Sequence, residues 1–357
     1  MGIREALRLV ELAGQNKLNT LLVEYGPRRP FKAHPELQSH AALSVEEVSR
    51  LIAAAGDCGL EIIPLQQSTA HLEYVIGHER FAGLRERPER GNLLCPAHPE
   101  SLTLIKELIR EIRELHPQSK MIHLGGDEAR KIGQCPRCCA SGKSLADLYG
   151  AHMGALAKYA LELGCRPIVW DDTFCALPRS LDHLPKETII NYWDYIAVAD
   201  PTPVLIPRMA HANGGPRVAH DWRWMFSFGH ATLSDVQRGV MKHYSHPSIL
   251  GLTLGRDYLE RFGPYLGDGF PRWIKALPYL EYYQDLGFDV ITSPTGMGNG
   301  DMKDGRPNFA RFTVNIAVHA KRCKENGRAL GMITTAWYDM PPDMLEPSLL
   351  QTGEAAS

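Results

Sequence analysis

Several things are missing from this chain, and each absence removes a class of function. No apolar run comes near the roughly 20 residues of a membrane-spanning helix, so no membrane partner is expected. Excess charge of one sign is missing as well. A formal net charge of -2 gives no electrostatic footing for nucleic acid or an acidic membrane surface. There is no Gly-rich first turn of the kind that cradles a nucleotide in a doubly wound α/β fold. Neither an internal repeat nor a low-complexity tract is present. The start, Met1-Gly2-Ile3-Arg4-Glu5, reads as a charged helix and not as a signal peptide. Ala6 stands where a myristoylation signal would carry Ser or Thr. The eight cysteines are therefore expected to be free thiols or a metal clip in a cytoplasmic protein, not a disulfide framework.

What remains is ordinary for a soluble globular protein: 357 residues, 44% hydrophobic and 22% charged. Strand-like and helix-like stretches alternate along the chain. The strand-like ones are 19–25, 60–65, 121–124, 167–170, 188–193, 289–293 and 331–337. Helical spacing marks 3–14, a helix capped by Ser44 with Glu47, 99–116, a helix opened by Ser144, 271–285 and 308–326. This alternation implies a parallel sheet with helical crossovers. The expected fold is α/β, a TIM-like (β/α)8 barrel filling one domain over 1–357. Seven strand–helix units are one short of eight, so the barrel is irregular at its first strand or is completed by an insertion. That insertion, 200–268 before strand seven, is rich in Pro, Gly, His and Trp, with a helix near 232–243 and a strand near 249–254. Little room is left for a helix after the last strand.

The stretch Met121-Ile122-His123-Leu124-Gly125-Gly126-Asp127-Glu128 organises the rest. An apolar strand ends in two glycines, which allow a sharp turn beside a ligand. Two adjacent carboxylates follow, at the strand end where α/β barrels place their chemistry. Taken alone, Gly-Gly-Asp-Glu reads as a turn and a helix cap. Other strand ends repeat the pattern, however: Glu24 and Tyr25, His71, Trp170 with Asp171 and Asp172, Trp193 with Asp194 and Tyr195, Trp337 with Asp339. A flat Trp face stacks on the C–H face of a sugar, and carboxylates bind its hydroxyls, so these residues together suggest carbohydrate chemistry. For each Trp singly, a core role stays open.

His123-Leu124-Gly125-Gly126-Asp127-Glu128 resembles the signature of glycoside hydrolase family 20, the β-N-acetylhexosaminidases. Leu22-Val23-Glu24-Tyr25, Ile62-Ile63-Pro64-Leu65, His71-Leu72-Glu73-Tyr74, Phe81 to Glu86, Val169-Trp170-Asp171-Asp172 and Trp193-Asp194-Tyr195 follow in the order of its hexosaminidase D branch. The similarity covers 1–200 and resumes at about 269–340. It implies substrate-assisted retention. Glu128 would be the acid and then the base, and Asp127 would orient the substrate's 2-acetamido group, whose oxygen attacks the anomeric carbon. Trp170, Trp193 and Trp337 match aromatic walls, Asp339 matches a hydroxyl-binding carboxylate, and His71 matches a histidine that supports the catalytic pair. Glu24 and Asp171 join the candidate substrate-binding residues, and Tyr195 is a donor to the acetamido oxygen. Asp221, Trp222 and Arg256 are weaker candidates from the insertion. The expected substrate is a glycan ending in β-linked N-acetylgalactosamine, or N-acetylglucosamine, and a homodimer is open because barrel hydrolases often pair.

No cofactor is required for that chemistry. Cys135-x-x-Cys138 has zinc-knuckle spacing, so a structural zinc is a separate expectation, with Cys139 as a third ligand against free thiols in a tight turn. Two other classes compete: a non-catalytic carbohydrate-binding barrel of the same ancestry, and a zinc-dependent or nucleic-acid-binding module built on the cysteines. The intact acid pair argues against the first, and the near-neutral charge and lone Cys-x-x-Cys argue against the second.

Overall fold

The computed structural model describes residues 1–129, 131–195, 197, 202–205, 226–227, 260–268, 273–297, 302–303, 306–337 and 340–356. Most of the 200–268 insertion lies outside them, with its expected helix and strand, Asp221, Trp222 and Arg256; so does Asp339. The chain divides into two compact units, one built on Met1–Ile189 and the other on most of the described residues from Ile190 onward.

In the first unit four strands lie side by side in chain order: Thr20–Glu24, Glu61–Leu65, Met121–His123 and Arg166–Trp170. Every pairing is parallel, with Glu24 opposite Leu65, Leu65 opposite His123 and His123 opposite Ile168. Parallel strands need long crossovers, and the sequence supplies helices for them: Val45–Asp57, Pro99–Leu115 and Leu145–Glu162. The first starts at the expected capping box, where Ser44 Oγ accepts from Glu47 N and Glu47 returns the bond to Ser44 N at 2.8 Å. Ser144 caps the third, accepting from Asp147 N at 3.1 Å. Leu51 and Ala55 of the first crossover pack with Val10, Ala13, Leu60 and Ile62 in one cluster, and Leu104, Ile105, Leu108, Ile109 and Ile112 form the buried stripe of the second. Burying each such aliphatic side chain contributes about 1.5–3 kcal/mol. Strands 61–65 and 166–170 are buried along nearly their whole length, as expected when helices cover both faces. Because the four strands run the same way, Glu24, Gln66, Leu124 and Trp170 all sit at one edge.

The second unit begins within the strand Ile189–Trp193. Asp194 N donates to Ser293 O, and Ser293 Oγ donates to Asn191 Oδ1 at 2.7 Å, joining this strand to Asp289–Ser293. Asp289–Ser293 pairs in parallel with Gly331–Met332. The helix Phe309–Asn326 connects them, starting on Asn308 and ending on Gly327 at φ 66. All seven expected strands are therefore formed.

Three details differ from expectation. The helix expected over 271–285 is confined to Tyr279–Asp285, because Pro278 disfavours helical backbone at Leu277, which takes φ 51. A helix of 15 residues, Pro342–Ala356, does follow the last strand. Twenty residues follow Trp337 in the chain of 357, enough for these 15. Third, Arg85–Arg87 and Arg90–Leu94 form an antiparallel hairpin with Arg85 opposite Leu94. Its arginines hide any strand-like alternation. Among the described residues no helix is long and apolar enough to cross a membrane.

Candidate active site

The strand Met121–His123 leads into a turn that only glycine can make. Gly125 has φ 63 and Gly126 φ 97. A Cβ on Gly125 would run into the side-chain amide oxygen of Gln67, and one on Gly126 would come within 2.8 Å of Met153 Cε and Tyr149 OH. The turn is pinned on both sides: Tyr149 OH donates to Gly126 O at 2.6 Å, and Gly125 N donates to His123 Nδ1 at 3.0 Å. Glu128 continues in the left-handed region at φ 54, held where Glu128 N donates to Asp172 Oδ2 at 2.8 Å. His71, at φ 56, shares that conformation. Such backbone costs a non-glycine residue about 1–3 kcal/mol and persists where surrounding bonds enforce it, commonly at functional sites.

These two strained residues meet. His71 Nε2 lies 3.2 Å from Asp127 Oδ2 and 3.4 Å from Glu128 Oε2. The two carboxylates differ sharply in setting: the Glu128 side chain is 41% exposed, that of Asp127 only 13%. Asp127 Oδ1 is buried and has no protein partner among the described residues. His71 itself is part-exposed, so it is not a core histidine. Hydrogen bonds to Asp127 and Glu128 push its imidazole up to about 11, against the opposing effect of burial.

Glu24 borders this group. Gln67 Nε2 donates to Glu24 Oε2 at 3.5 Å. The Glu24 carboxyl is pushed up to about 7, first by the protein packed around it and then by the charge of Asp127. It keeps an open side to solvent, which limits desolvation and makes the Asp127 charge the firmer cause.

The raised His71 value makes a prediction. An unfolded histidine titrates near 6.5, so the His71 proton stabilises the folded chain fully below about pH 6.5, and this contribution is lost as pH rises towards 11. NMR of the imidazole should show no His71 titration between about pH 5 and 9 in the parent. The double variant Asp127→Asn, Glu128→Gln should return it to the ordinary range. A parent His71 titrating near 6.5 would refute the arrangement.

Trp170 and Asp171 are both enclosed by the fold. Trp170 is 1% exposed, with its ring 4.4 Å from that of His123, and Asp171 is fully buried. A packing role stays open to Trp170 from sequence, and the ring is packed here on His123. His123 is pushed down to about 3 by burial and stays neutral beside it.

The second unit brings three other candidates together. The Trp193 and Tyr195 rings lie 4.6 Å apart at 30°, and Trp337 Nε1 donates to Tyr195 OH at 2.7 Å. Trp337 is 38% exposed, which leaves an aromatic surface open. Backbone anchors fix the group: Arg311 donates to Tyr195 O, while Asn315 Nδ2 and His319 Nε2 each reach Asp194 O at 2.9 Å.

Sequence reasoning gave no role to Gln67 or Tyr149, and placed Asp172 at a strand end without its bond to Glu128 N, because each acts through a backbone atom or another side chain. The adjacent Gln66 and Gln67, both buried just past a strand, were the available signal. Among the cysteines, Cys135 and Cys138 do lie together, but the third member is Cys95 and not Cys139. Cys139 is exposed and its Sγ points to Gly133 O and Gln134 O at 3.6 and 3.7 Å.

The sequence profile of glycosyl hydrolase family 20, catalytic domain, matches residues 15–204. Proteins named Hexosaminidase D from Bos taurus and Homo sapiens are each 33% identical over 192 residues. That stretch is 51% of this chain, 56% of the bovine protein and 40% of the human one, so the chain spans about half the length of the curated relatives it matches. Among solved structures, the beta-N-acetylhexosaminidase from Bacteroides fragilis has a TM-score of 0.64 at 18% identity, over 99% of this chain and 62% of that one. The Flavobacterium johnsoniae chitobiase has a TM-score of 0.58 at 14% identity, over 99% and 46%. At these identities the likeness shows the fold, which is TIM-barrel-like.

Proposed function

The chain belongs to glycosyl hydrolase family 20, and from that premise we propose that it is an exo-β-N-acetylhexosaminidase working by substrate-assisted retention. The observation that carries this reading is the division of the acid pair around His71. Glu128 is open to solvent and can reach a departing oxygen, while Asp127 keeps a buried oxygen without a protein partner. That oxygen suits the N–H of a bound 2-acetamido group, which would supply the missing donor.

In the first step Glu128 gives its proton to the glycosidic oxygen as the C1–O bond breaks. The acetamido oxygen forms the new bond to C1, giving an oxazolinium ion. Asp127 accepts from the acetamido nitrogen and offsets the positive charge that gathers there. In the second step Glu128 takes a proton from water as the water oxygen attacks C1 and the bond from C1 to the acetamido oxygen breaks, which restores the 2-acetamido group. The two displacements retain configuration and restore the proton on Glu128. A nucleophile tethered to the reacting sugar needs no further loss of translational freedom. The steps use side chains alone, with no cofactor.

The hexosaminidase names of the relatives support N-acetylhexosamines as the substrate class, and the resemblance to the D branch favours terminal β-linked N-acetylgalactosamine. By the same resemblance Trp193, Tyr195 and Trp337 have the sugar-binding role, and the TIM-like fold is an eight-stranded barrel.

The test is hydrolysis of aryl β-N-acetylgalactosaminide and β-N-acetylglucosaminide, followed by inhibition with a thiazoline mimic of the oxazolinium. Turnover of at least one substrate is expected, faster for the galactosaminide, with retained configuration and tight inhibition by the mimic. A chain that binds these sugars but turns over neither is a non-catalytic sugar-binding barrel. Turnover without inhibition by the mimic points to an enzyme carboxylate as nucleophile.

A further inference from the structure

Glu86, Cys95, Cys135 and Cys138 are all buried, and each offers one ligand atom such that all four lie within 4.8 Å of one another. We propose that these four residues hold a structural zinc ion in a Cys3Glu site that ties the hairpin 85–94 to the segment following Asp127 and Glu128.

The spacings already approach a tetrahedron. Cys95 Sγ is 3.4 Å from Cys135 Sγ and 3.6 Å from Cys138 Sγ, and Cys138 Sγ is 3.2 Å from Glu86 Oε2. Zinc–sulfur bonds of about 2.3 Å and zinc–oxygen bonds of about 2.0 Å at tetrahedral angles separate sulfurs by about 3.8 Å and sulfur from oxygen by about 3.5 Å. These three separations need lengthen by only a few tenths of an ångström, and no pair of the four atoms is more than 4.8 Å apart. A disulfide would demand a far larger inward shift, to about 2.05 Å.

The surroundings fit a metal too. Glu86 Oε1 is already engaged, accepting from Gln134 N at 2.5 Å and Cys135 N at 2.8 Å, which turns Oε2 towards the thiols. Cys138 N donates to Cys135 Sγ at 3.3 Å. Backbone donors of this kind orient ligands and spread the negative charge of the site. Leu148 packs against the three cysteines and helps keep water out. A fully buried carboxylate beside three sulfurs is costly without a cation, and soft thiolates with one carboxylate select zinc over magnesium or calcium. Binding would replace the three thiol protons, which leave to solvent. Cys135 stands seven positions after Glu128 and caps the short helix Pro136–Ala140. The ion would fix one end of the loop that carries the acid pair. The inference concerns these ligands only and stands or falls apart from the hydrolase reading.

The experiment is metal analysis of the full chain purified under reducing conditions without added zinc. About one zinc per chain is expected, falling to about one fifth or less in Cys95→Ser and Cys135→Ser and unchanged in Cys139→Ser and Cys58→Ser. Loss of a buried ligand can also unfold the chain, so the parent is additionally expressed with cobalt in zinc-depleted medium. Each thiolate bound to cobalt adds to a sulfur-to-cobalt charge-transfer band, so the band intensity per cobalt should match three thiolates and not one or two. Glu86→Gln should keep the fold and hold zinc about 10- to 100-fold more weakly against a competing chelator. A reduced, folded parent with neither zinc nor a cobalt–thiolate band overturns the proposal. So does a Cys95–Cys135 disulfide found by peptide mapping, or full zinc in the folded Cys95→Ser variant.

Discussion

Glu128→Gln is expected to lower kcat by about 100-fold or more on a substrate whose leaving group needs a proton, the scale of a lost acid–base group. That is about 2.7 kcal/mol of transition-state stabilisation. Glutamine preserves the shape and can still accept from His71, now 3.4 Å away, so KM and the unfolding midpoint should change little. The loss should depend on the leaving group: large for a poor one such as an alkyl alcohol, and much smaller for a dinitrophenol that departs as a stable anion. The pH profile of kcat/KM should also lose the limb that reports the acid. Stopped-rate assays over a series of aryl leaving groups measure this directly. A loss that is equal across the whole series would exclude Glu128 as the proton donor.

Asp127→Asn is expected to cost a similar factor for a different reason. Here charge is removed, not a proton. In the proposed mechanism the carboxylate oxygen without a protein partner would accept from the nitrogen where positive charge gathers, and a neutral amide would stabilise that charge far less. Affinity for the thiazoline mimic should therefore fall with kcat in Asp127→Asn, whereas Glu128→Gln should leave that affinity closer to the parent's. Leaving-group dependence should be slight. Stability should move the other way: a mostly buried carboxylate oxygen with no donor is a cost to the fold, and its ion pair with part-exposed His71 is worth at most about 1 kcal/mol. An unfolding midpoint equal to or above the parent's, measured in urea, is expected beside the lost activity. Unchanged kcat, or a kcat loss with unchanged affinity for the mimic, would remove Asp127 from the proposed role.

The strands were legible because each is a short, nearly continuous apolar run bounded by turn residues. Helix starts were equally plain, since Ser44 with Glu47 and Ser144 with Asp147 place a side-chain acceptor over free backbone N–H groups. The hairpin Arg85–Arg87 with Arg90–Leu94 was not, because its arginines carry no period-two apolar pattern. Gly125 and Gly126 announced the turn, but not the reason for it: Gln67, from another strand end, fills the space a Cβ would need.

Local sequence by itself determined the acid pair, its place at a strand end and the αβ alternation around it, because these depend on neighbours a few residues apart. Tertiary structure alone decided how the pair is divided. Whether a carboxylate is open like Glu128 or enclosed like Asp127 depends on atoms brought in from His71 and Asp172, far along the chain. The same holds for Trp170, which ends a strand in sequence as Trp193 does and is buried against His123. It holds again for Cys95 and Glu86, which lie 40 and 49 positions from Cys135 and become its neighbours only when the hairpin folds back onto the segment that follows the two acids of Gly125-Gly126-Asp127-Glu128.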